Sequence, residues 1–338
     1  MFKVRVLNQE NIKEVLDMDA VINAVEKVYV LKCQKKADVF PMVFHEFERG
    51  VADMDIKSGY LEDADIFGLK LVSWFGENSK KGLAPLIGTT LVFDGKTGIP
   101  KGLLSAEYVT GMRTGAAGAI GAKYLARKKS ESMLMVGTGH QALFQIGAVL
   151  TAMPGIRKVM VHSPRTKGKA EKFCLSAKER LEKMFPGLAF DAGFEAVVDL
   201  EEAVKRSDII ITATPSREPM ILKDWVKPGT HISCIGADMS GKQEIDERLY
   251  GVARAFVDDW GQAASVGETE TAVNNGIVSL EKPLPEIGGV IAGKISGRTN
   301  DDDITIFDST GIALQDLMVS KLALDMAESL GIGDTIDL

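Results

Sequence analysis

The chain has 338 residues, 45% of them hydrophobic and 26% charged, and 47 Asp+Glu against 40 Lys+Arg leave a net charge of −7. A pI near 5.3 gives no basic footprint for counterion release from nucleic acid, so nucleic acid is not an expected partner. A mean hydropathy of +0.04, with no apolar run of about 18 residues, gives nothing to span a membrane. At roughly 150 residues per domain, two domains are expected.

The opening MFKVRVLNQENIKEV carries charges every few residues and has no apolar signal core, so a cytoplasmic location is expected. Asp19–Lys35 reads helical, with Ala20, Val21, Ala24, Val25, Val28 and Leu31 on one stripe. Ile66–Phe75 and Leu86–Asp94 read as strands, the second followed by the turn Gly95-Lys96-Thr97-Gly98. Ser105 opens a long helix that runs through SAEYVTGMRTGAAGAIGAKYLARK. Met133–Gly137 is a short apolar run, Gln141–Met153 a helix, and Lys158–His162 another apolar alternation. There follow a helix over Ala170–Met184, a strand near Leu188–Phe190, a helix at Leu200–Arg206, and apolar strands at Asp208–Thr214 and His231–Gly236. A strand at Ile304–Phe307 and a helix over Ile312–Leu330, stopped by Gly331, close the chain. Strands alternating with helices imply crossover units and an α/β fold with a parallel sheet, the domain boundary falling between the long helix and Met133. Cys33, Cys174 and Cys234 are far apart without CxxC pairing, which fits buried thiols better than a disulfide framework, and no metal is expected.

The sharpest local motif is the GxGxxA run Gly137-Thr138-Gly139-His140-Gln141-Ala142, placed between an apolar strand and a helix. The first glycine permits the tight turn, the second lets backbone approach a pyrophosphate, and the small third position lets the helix pack on the strand. The same spacing also serves an ordinary strand–helix turn. About 20 residues on, an NAD-specific fold places an acid for the ribose 2′-hydroxyl. Here the segment reads His162-Ser163-Pro164-Arg165-Thr166-Lys167. A hydroxyl and two cations suit a 2′-phosphate, so NADP(H) is favoured and NAD(H) remains possible.

Asp238 follows an apolar strand at a glycine-flanked loop, Gly236-Ala-Asp238-Met-Ser-Gly241-Lys242. Ligands of open α/β sheets sit beyond the carboxyl ends of strands, and burial beside an aromatic cofactor would favour the protonated acid, poising it for acid–base work. Asp-x-Ser-Gly is equally good turn or capping chemistry. Lys70 interrupts a strand, where an edge or solvent-facing position is the common outcome. Arg113-Thr114 lies among Gly111, Gly115, Ala116, Ala117 and Gly118, small residues that suggest backbone packed close to something flat or charged. Arg113 could hold a carboxylate or phosphate bidentately, or form a structural ion pair.

Taken together, several segments resemble the ornithine cyclodeaminase/mu-crystallin family: Gly68-Leu-Lys70-Leu-Val, Met112-Arg113-Thr114-Gly, Tyr124-Leu-Ala-Arg127, the Gly137–Gln141 loop, Ser207-Asp208…Thr214-Pro, Lys227-Pro-Gly-Thr-His231, Gly236-Ala-Asp238…Lys242 and Phe307-Asp308-Ser309-Thr310-Gly311…Asp316. The resemblance implies a homodimer, with a Rossmann-type NAD(P) domain over residues 123–306. An α+β substrate-binding and dimerisation domain over 1–122 would be completed by 307–338. It implies that Asp238 is the acid/base and that Lys70, also a catalytic candidate, holds the substrate carboxylate with Arg113. Arg113 and Thr114 would reach the cofactor phosphates, and Gly137, Thr138, Gly139, His140, Gln141, Ser163, Arg165, Thr166, Thr214, Gly236, Lys242 and Ser309 would contact the cofactor. Thr310 lies where a substrate-facing residue sits. One departure concerns Pro41-Met42, where the family commonly has Pro-Arg for the carboxylate; His45, Arg49 or Lys57 would supply that charge, and Lys57 is taken as substrate-binding. The implied chemistry is hydride transfer at the Cα–N bond of a small α-amino or α-imino acid. Ornithine-type cyclodeamination with recycled NAD+ and a non-catalytic crystallin-like binding protein are the alternatives.

Overall fold

Short polar side chains start the N-terminal helices. Following strand β1 (Lys3–Leu7), Asn8 caps α1 (Gln9–Val15) and Asp17 caps α2 (Met18–Cys33), the Asp17 carboxylate accepting from Ala20 N–H at 2.9 Å. The computed structural model describes residues 1–338 apart from Lys167, so the predicted phosphate contact of that lysine lies outside the described residues. The chain divides into two compact units, one of Met1–Arg113 with Ile312–Leu338 and one of Thr114–Gly311. The division falls at 113/114, inside the long helix, and at 311/312.

In the first unit β2 (Ala37–Val39), β3 (Val43–Glu48), β4 (Ala52–Leu61), β5 (Ile66–Phe75), β6 (Leu86–Asp94) and β7 (Pro100–Ser105) follow, and helix α3 (Ala106–Leu125) carries the chain onward. β4, β5, β6 and β7 pair antiparallel in sequence order, while β1 pairs parallel with β7. Gly59, Gly68, Val92 and Gly102 form one cross-strand row. A Cβ at Gly59 or Gly68 would come within 2.8 Å of Leu314 or Leu317, and one at Gly102 within 2.4 Å of Leu324. The missing side chains make a trough for the last helix, numbered α10 below.

In the second unit the elements are β8 (Ser132–Val136), α4 (Gln141–Ala152), β9 (Lys158–His162), α5 (Lys169–Met184), β10 (Gly193–Ala196), α6 (Leu200–Arg206), β11 (Ile209–Thr212), β12 (Arg217–Ile221), β13 (His231–Cys234), β14 (Gln243–Ile245), β15 (Arg254–Val257), α7 (Trp260–Val266), α8 (Thr269–Asn274), α9 (Ile287–Ile291) and β16 (Thr305–Asp308). α10 (Ala313–Leu330) and β17 (Asp334–Asp337) return to the first unit. Seven strands form an all-parallel sheet in the order β10-β9-β8-β11-β13-β16-β15. This is the expected Rossmann-type layer, with apolar runs such as Ile209-Ile-Ile fully buried. The strand expected near Leu188–Phe190 is displaced: the chain turns at Pro186-Gly187, and pairing with β9 begins only at Gly193, whose N–H donates to the Arg157 carbonyl. Phe190 packs edge-on against Phe194 instead. Among the described residues no helix is long and apolar enough to cross a membrane.

Candidate active site

In the second unit, β8 ends at Val136 and Gly137 adopts φ +114°. A Cβ there would lie 2.6 Å from the Ala213 carbonyl oxygen, so glycine is required. Its N–H donates to the His162 carbonyl at 2.9 Å, which ties the loop to the end of β9, and the Thr138 hydroxyl lies 3.4 Å from that of Ser163. A Cβ on Gly139 would meet nothing within 4 Å, leaving an open backbone face. Helix α4 starts at Gln141; its cap residue His140 packs against Phe144 and makes no side-chain cap bond, so the first turn keeps the positive end that suits phosphates. Arg165 and Thr166 are exposed beside the half-buried Ser163. This backbone fits a dinucleotide pyrophosphate.

The small residues of α3 have a different cause from the one expected. Cβ atoms on Gly115, Gly118 and Gly121 would lie 2.6 Å or less from the Phe144 carbonyl, the Gln145 amide and the Phe307 ring. They let α3 pack against α4 and β16, with no flat or charged ligand needed. Thr114 accepts the Gln145 side chain on its carbonyl at 2.8 Å.

Asp238 stands on the loop after β13. Its side chain is 51% exposed and paired at 2.5 Å with Lys242, itself 16% exposed. The expected desolvation is therefore absent in the protein alone. The loop is nonetheless fixed: Ser240 Oγ and Gly241 N–H donate to the two oxygens of Glu270 at 2.6 and 2.8 Å, and Arg217 donates to the Ser240 carbonyl. Beneath it, buried Glu244 accepts from Thr212 Oγ1, from Thr214 N–H and Oγ1, and from Gly236 N–H, at 2.7–2.9 Å. One carboxylate thus joins the ends of β11 and β13. Thr214 and Gly236 are committed to Glu244, which limits what the Thr214 side chain can offer a cofactor. Burial raises Glu268 well above the carboxylate range, with the neighbouring Glu244 adding to the effect. Glu268 in turn accepts the N–H groups of Glu244 and Ile245.

Ser309 and Thr310 also turn inward. Their hydroxyls donate to buried Asp258 at 3.0 Å, and Gly311 N–H joins them at 2.9 Å. The Thr310 hydroxyl, at the position where the resemblance implies a substrate-facing residue, is thus engaged by Asp258. Burial pushes Asp308 up to about 7, and His231 down to about 3, which leaves that histidine neutral between Thr305 and Ser233.

In the first unit, Lys57, Lys70 and Thr90 form the cross-strand row two residues along from the glycine row, on the same sheet face. Lys70 is 3% exposed, so the solvent-facing placement common for a lone strand lysine is overturned. β5 lies between β4 and β6, and α10 covers this face. Lys70 Nζ and Arg113 Nε each lie 3.1 Å from the same oxygen, Oδ1 of Asp316. Arg113 Nη1 donates to Gln315 Oε1 at 3.2 Å, and the Gln315 amide donates to Tyr29 at 2.5 Å. Burial draws Lys70 down to about 8; Asp316 opposes that fall, while Arg113 and Lys57 add to it. Burial alone would raise Asp316, but Arg113, Lys70 and Lys57 together hold it below the usual range. Lys57 sits directly across from Lys70, whereas His45 is exposed on β3 opposite Met54, and Arg49 is exposed in the following turn. Met42 is 49% exposed. Of the three substitutes for the missing arginine, only Lys57 is brought to the pair.

The comparisons with known proteins extend over the whole chain. Residues 3–330 match the model of the ornithine cyclodeaminase/mu-crystallin family. The chain belongs to that family. Its fold superposes on an archaeal alanine dehydrogenase dimer with bound NAD, at 38% identity and TM-score 0.89, over 100% of both chains. It superposes equally well on the Paracoccus denitrificans iminosuccinate reductase in complex with NAD+, at 31% identity and TM-score 0.90, again over 100% of both. A Thermococcus litoralis Δ1-pyrroline-2-carboxylate reductase in complex with NADH and L-proline matches at 30% identity and TM-score 0.89, over 98% of this chain and 100% of that one. Asp258, Glu244, Glu268 and Glu270 carried no signal in the sequence. Asp316 did, as the last residue of the closing motif, but without a role. Among the described residues no cluster of three His, Cys, Asp or Glu side chains is placed to hold a metal ion.

Proposed function

We propose that this chain is an NAD(P)H-dependent reductase or dehydrogenase acting at the Cα–N bond of a small α-amino or α-imino acid. The observation that carries the proposal is the buried Lys70/Arg113 pair, two cations sharing one carboxylate oxygen in a chain that also holds a dinucleotide loop. Such a pair has charge left to take an α-carboxylate. The bound dinucleotide supplies or accepts the hydride. Lys70 and Arg113, supported by Lys57, fix the carboxylate, and Asp238 exchanges the proton at the substrate nitrogen. Gly137, Gly139 and the first turn of α4 hold the pyrophosphate, and Lys242 and Ser309 are further cofactor contacts. The related alanine dehydrogenase, iminosuccinate reductase and pyrroline-2-carboxylate reductase are each named for a compound with a carboxylate beside a C–N bond.

The test is cofactor oxidation at 340 nm against a panel of keto acids with ammonium or amines, and preformed cyclic imines. Turnover of at least one α-carboxylated imine is expected. Tight dinucleotide binding without turnover on the whole panel would favour a binding protein, and conversion of ornithine without net cofactor change would favour cyclodeamination. NADPH is expected to outcompete NADH, because a hydroxyl at Ser163 and the cation of Arg165 stand where an NAD-specific fold has an acid. Ser163→Asp should reverse the preference. Equal kcat/KM for the two cofactors in the parent would show that Arg165 is only solvated.

We further propose a homodimer formed through the sheet face opposite Lys70. Val43 and Phe47 on β3, Leu71 and Phe75 on β5, and Ile87 on β6 share that face and are all exposed large hydrophobics, an unusual concentration for a free surface. Light scattering should give twice the 36.5 kDa chain mass, and Leu71→Glu should halve it. A parent that is monomeric at micromolar concentration would contradict this.

A further inference from the structure

We propose that Asp316 is a positioning residue for substrate: through one oxygen it holds the Lys70 ammonium and the Arg113 guanidinium side by side, so that they grip the α-carboxylate as a pair. This rests on the reading that Lys70 and Arg113 form the carboxylate site.

Asp316 is fully buried in the first turn of α10, where Leu314 and Leu317 seat that helix on Gly59 and Gly68. Both cations lie 3.1 Å from Oδ1, while Oδ2 is buried without a hydrogen-bond partner. The carboxylate is therefore spent on the cations. It caps no backbone and bridges no other element. Three buried charges are a poor way to stabilise a fold, since well-packed apolar side chains of similar volume do as well or better. Two cations against one anion leave a net positive charge, which a ligand carboxylate would neutralise. The charged groups facing Lys70 are Asp316 from α10, Arg113 from α3 and Lys57 from β4; β6 contributes the neutral Thr90.

The electrostatics supply a sign. Lys70 sits at about 8 because burial, Arg113 and Lys57 favour its neutral form and Asp316 opposes them. Without the Asp316 charge nothing opposes the fall, so Lys70 loses its proton at a lower pH. Its cation is present below that pH and lost above it.

Propionate, a carboxylate with no titrating nitrogen, is the probe, with NADPH saturating and pH varied from about 6 to about 10. In the parent, its dissociation constant should begin to rise near pH 8, by up to about tenfold per pH unit. Asp316→Asn should weaken propionate roughly tenfold at pH 8 and start the rise at lower pH, raising the substrate KM more than it lowers kcat. Dinucleotide affinity should stay unchanged. Asp316→Glu should keep the parental pH of weakening, with intermediate affinity. If Asp316→Asn matches the parent in affinity and pH profile while Lys70→Met and Arg113→Met lose propionate, the positioning role is wrong and the carboxylate site stands. If those two variants also bind like the parent, the carboxylate site itself falls. Should Asp316→Asn fail to bind dinucleotide and so prove misfolded, Asp316→Glu decides: weakened propionate binding supports the role, and parental affinity overturns it.

Discussion

Replacing Asp238 by Asn is expected to lower kcat by a factor of about 10² or more, the usual contribution of a positioned proton donor or acceptor. Dinucleotide affinity and thermal stability should hardly move. Asn keeps the shape of the side chain, and the loop is fastened by Glu270 to Ser240 and Gly241, independently of Asp238. The lost partner is Lys242, and an ion pair whose acid is 51% exposed is worth at most about 1 kcal/mol of stability. A large fall in kcat can then be read as chemistry, since the folding term is small. The measurements are kcat at saturation in both substrates and the thermal midpoint. Near-parental turnover would remove Asp238 from the mechanism.

The second large effect belongs to the buried cations. Lys70→Met and Arg113→Met should each lower kcat/KM for the best α-imino acid by roughly tenfold to a hundredfold, since a hydrogen bond to a charged group is worth about 1.5–3 kcal/mol. The loss should appear chiefly in KM, because the carboxylate is a remote handle that orients the reacting carbon. Each variant still leaves Asp316 with one cation, so no buried anion is stranded. The discriminating control is an imine lacking the carboxylate, on which parent and variants should be equally poor. Parental kcat/KM in both variants on the carboxylated substrate would show that these cations serve only the fold.

Where local chemistry dictates structure, the sequence was readable. β5, β6, β9 and α6 lie over the residues expected from alternation and periodicity, and α10 ends at Gly331 in the left-handed region that glycine favours. Gly137 has the positive φ that the phosphate-loop pattern demands. Long-range partners were not readable. Lys70 looked solvent-facing because nothing within its strand announces that α10 covers it, 246 residues away in sequence. The exposure of Asp238 was not readable either: the chain leaves the sheet after the apolar strand and the carboxylate emerges. Glu244 and Asp258 lie in ordinary polar stretches, and their burial arises only when the ends of β11 and β13, or the Ser309–Gly311 segment, close around them. The exposed β3 was not expected as a strand at all, since its residues lack the alternation that a half-buried strand shows.

The most direct measurement is the fate of a labelled hydride. The protein would be incubated with reduced dinucleotide carrying deuterium at both C4 positions and with an α-keto acid plus ammonium or the cyclic imine it turns over, and the product amino acid analysed by mass spectrometry. The expected result is deuterium at Cα, in amounts equal to the dinucleotide oxidised. Dinucleotide that binds but is never oxidised by any carboxylated imine, or an amino acid formed without label at Cα, would contradict hydride transfer at the Cα–N bond.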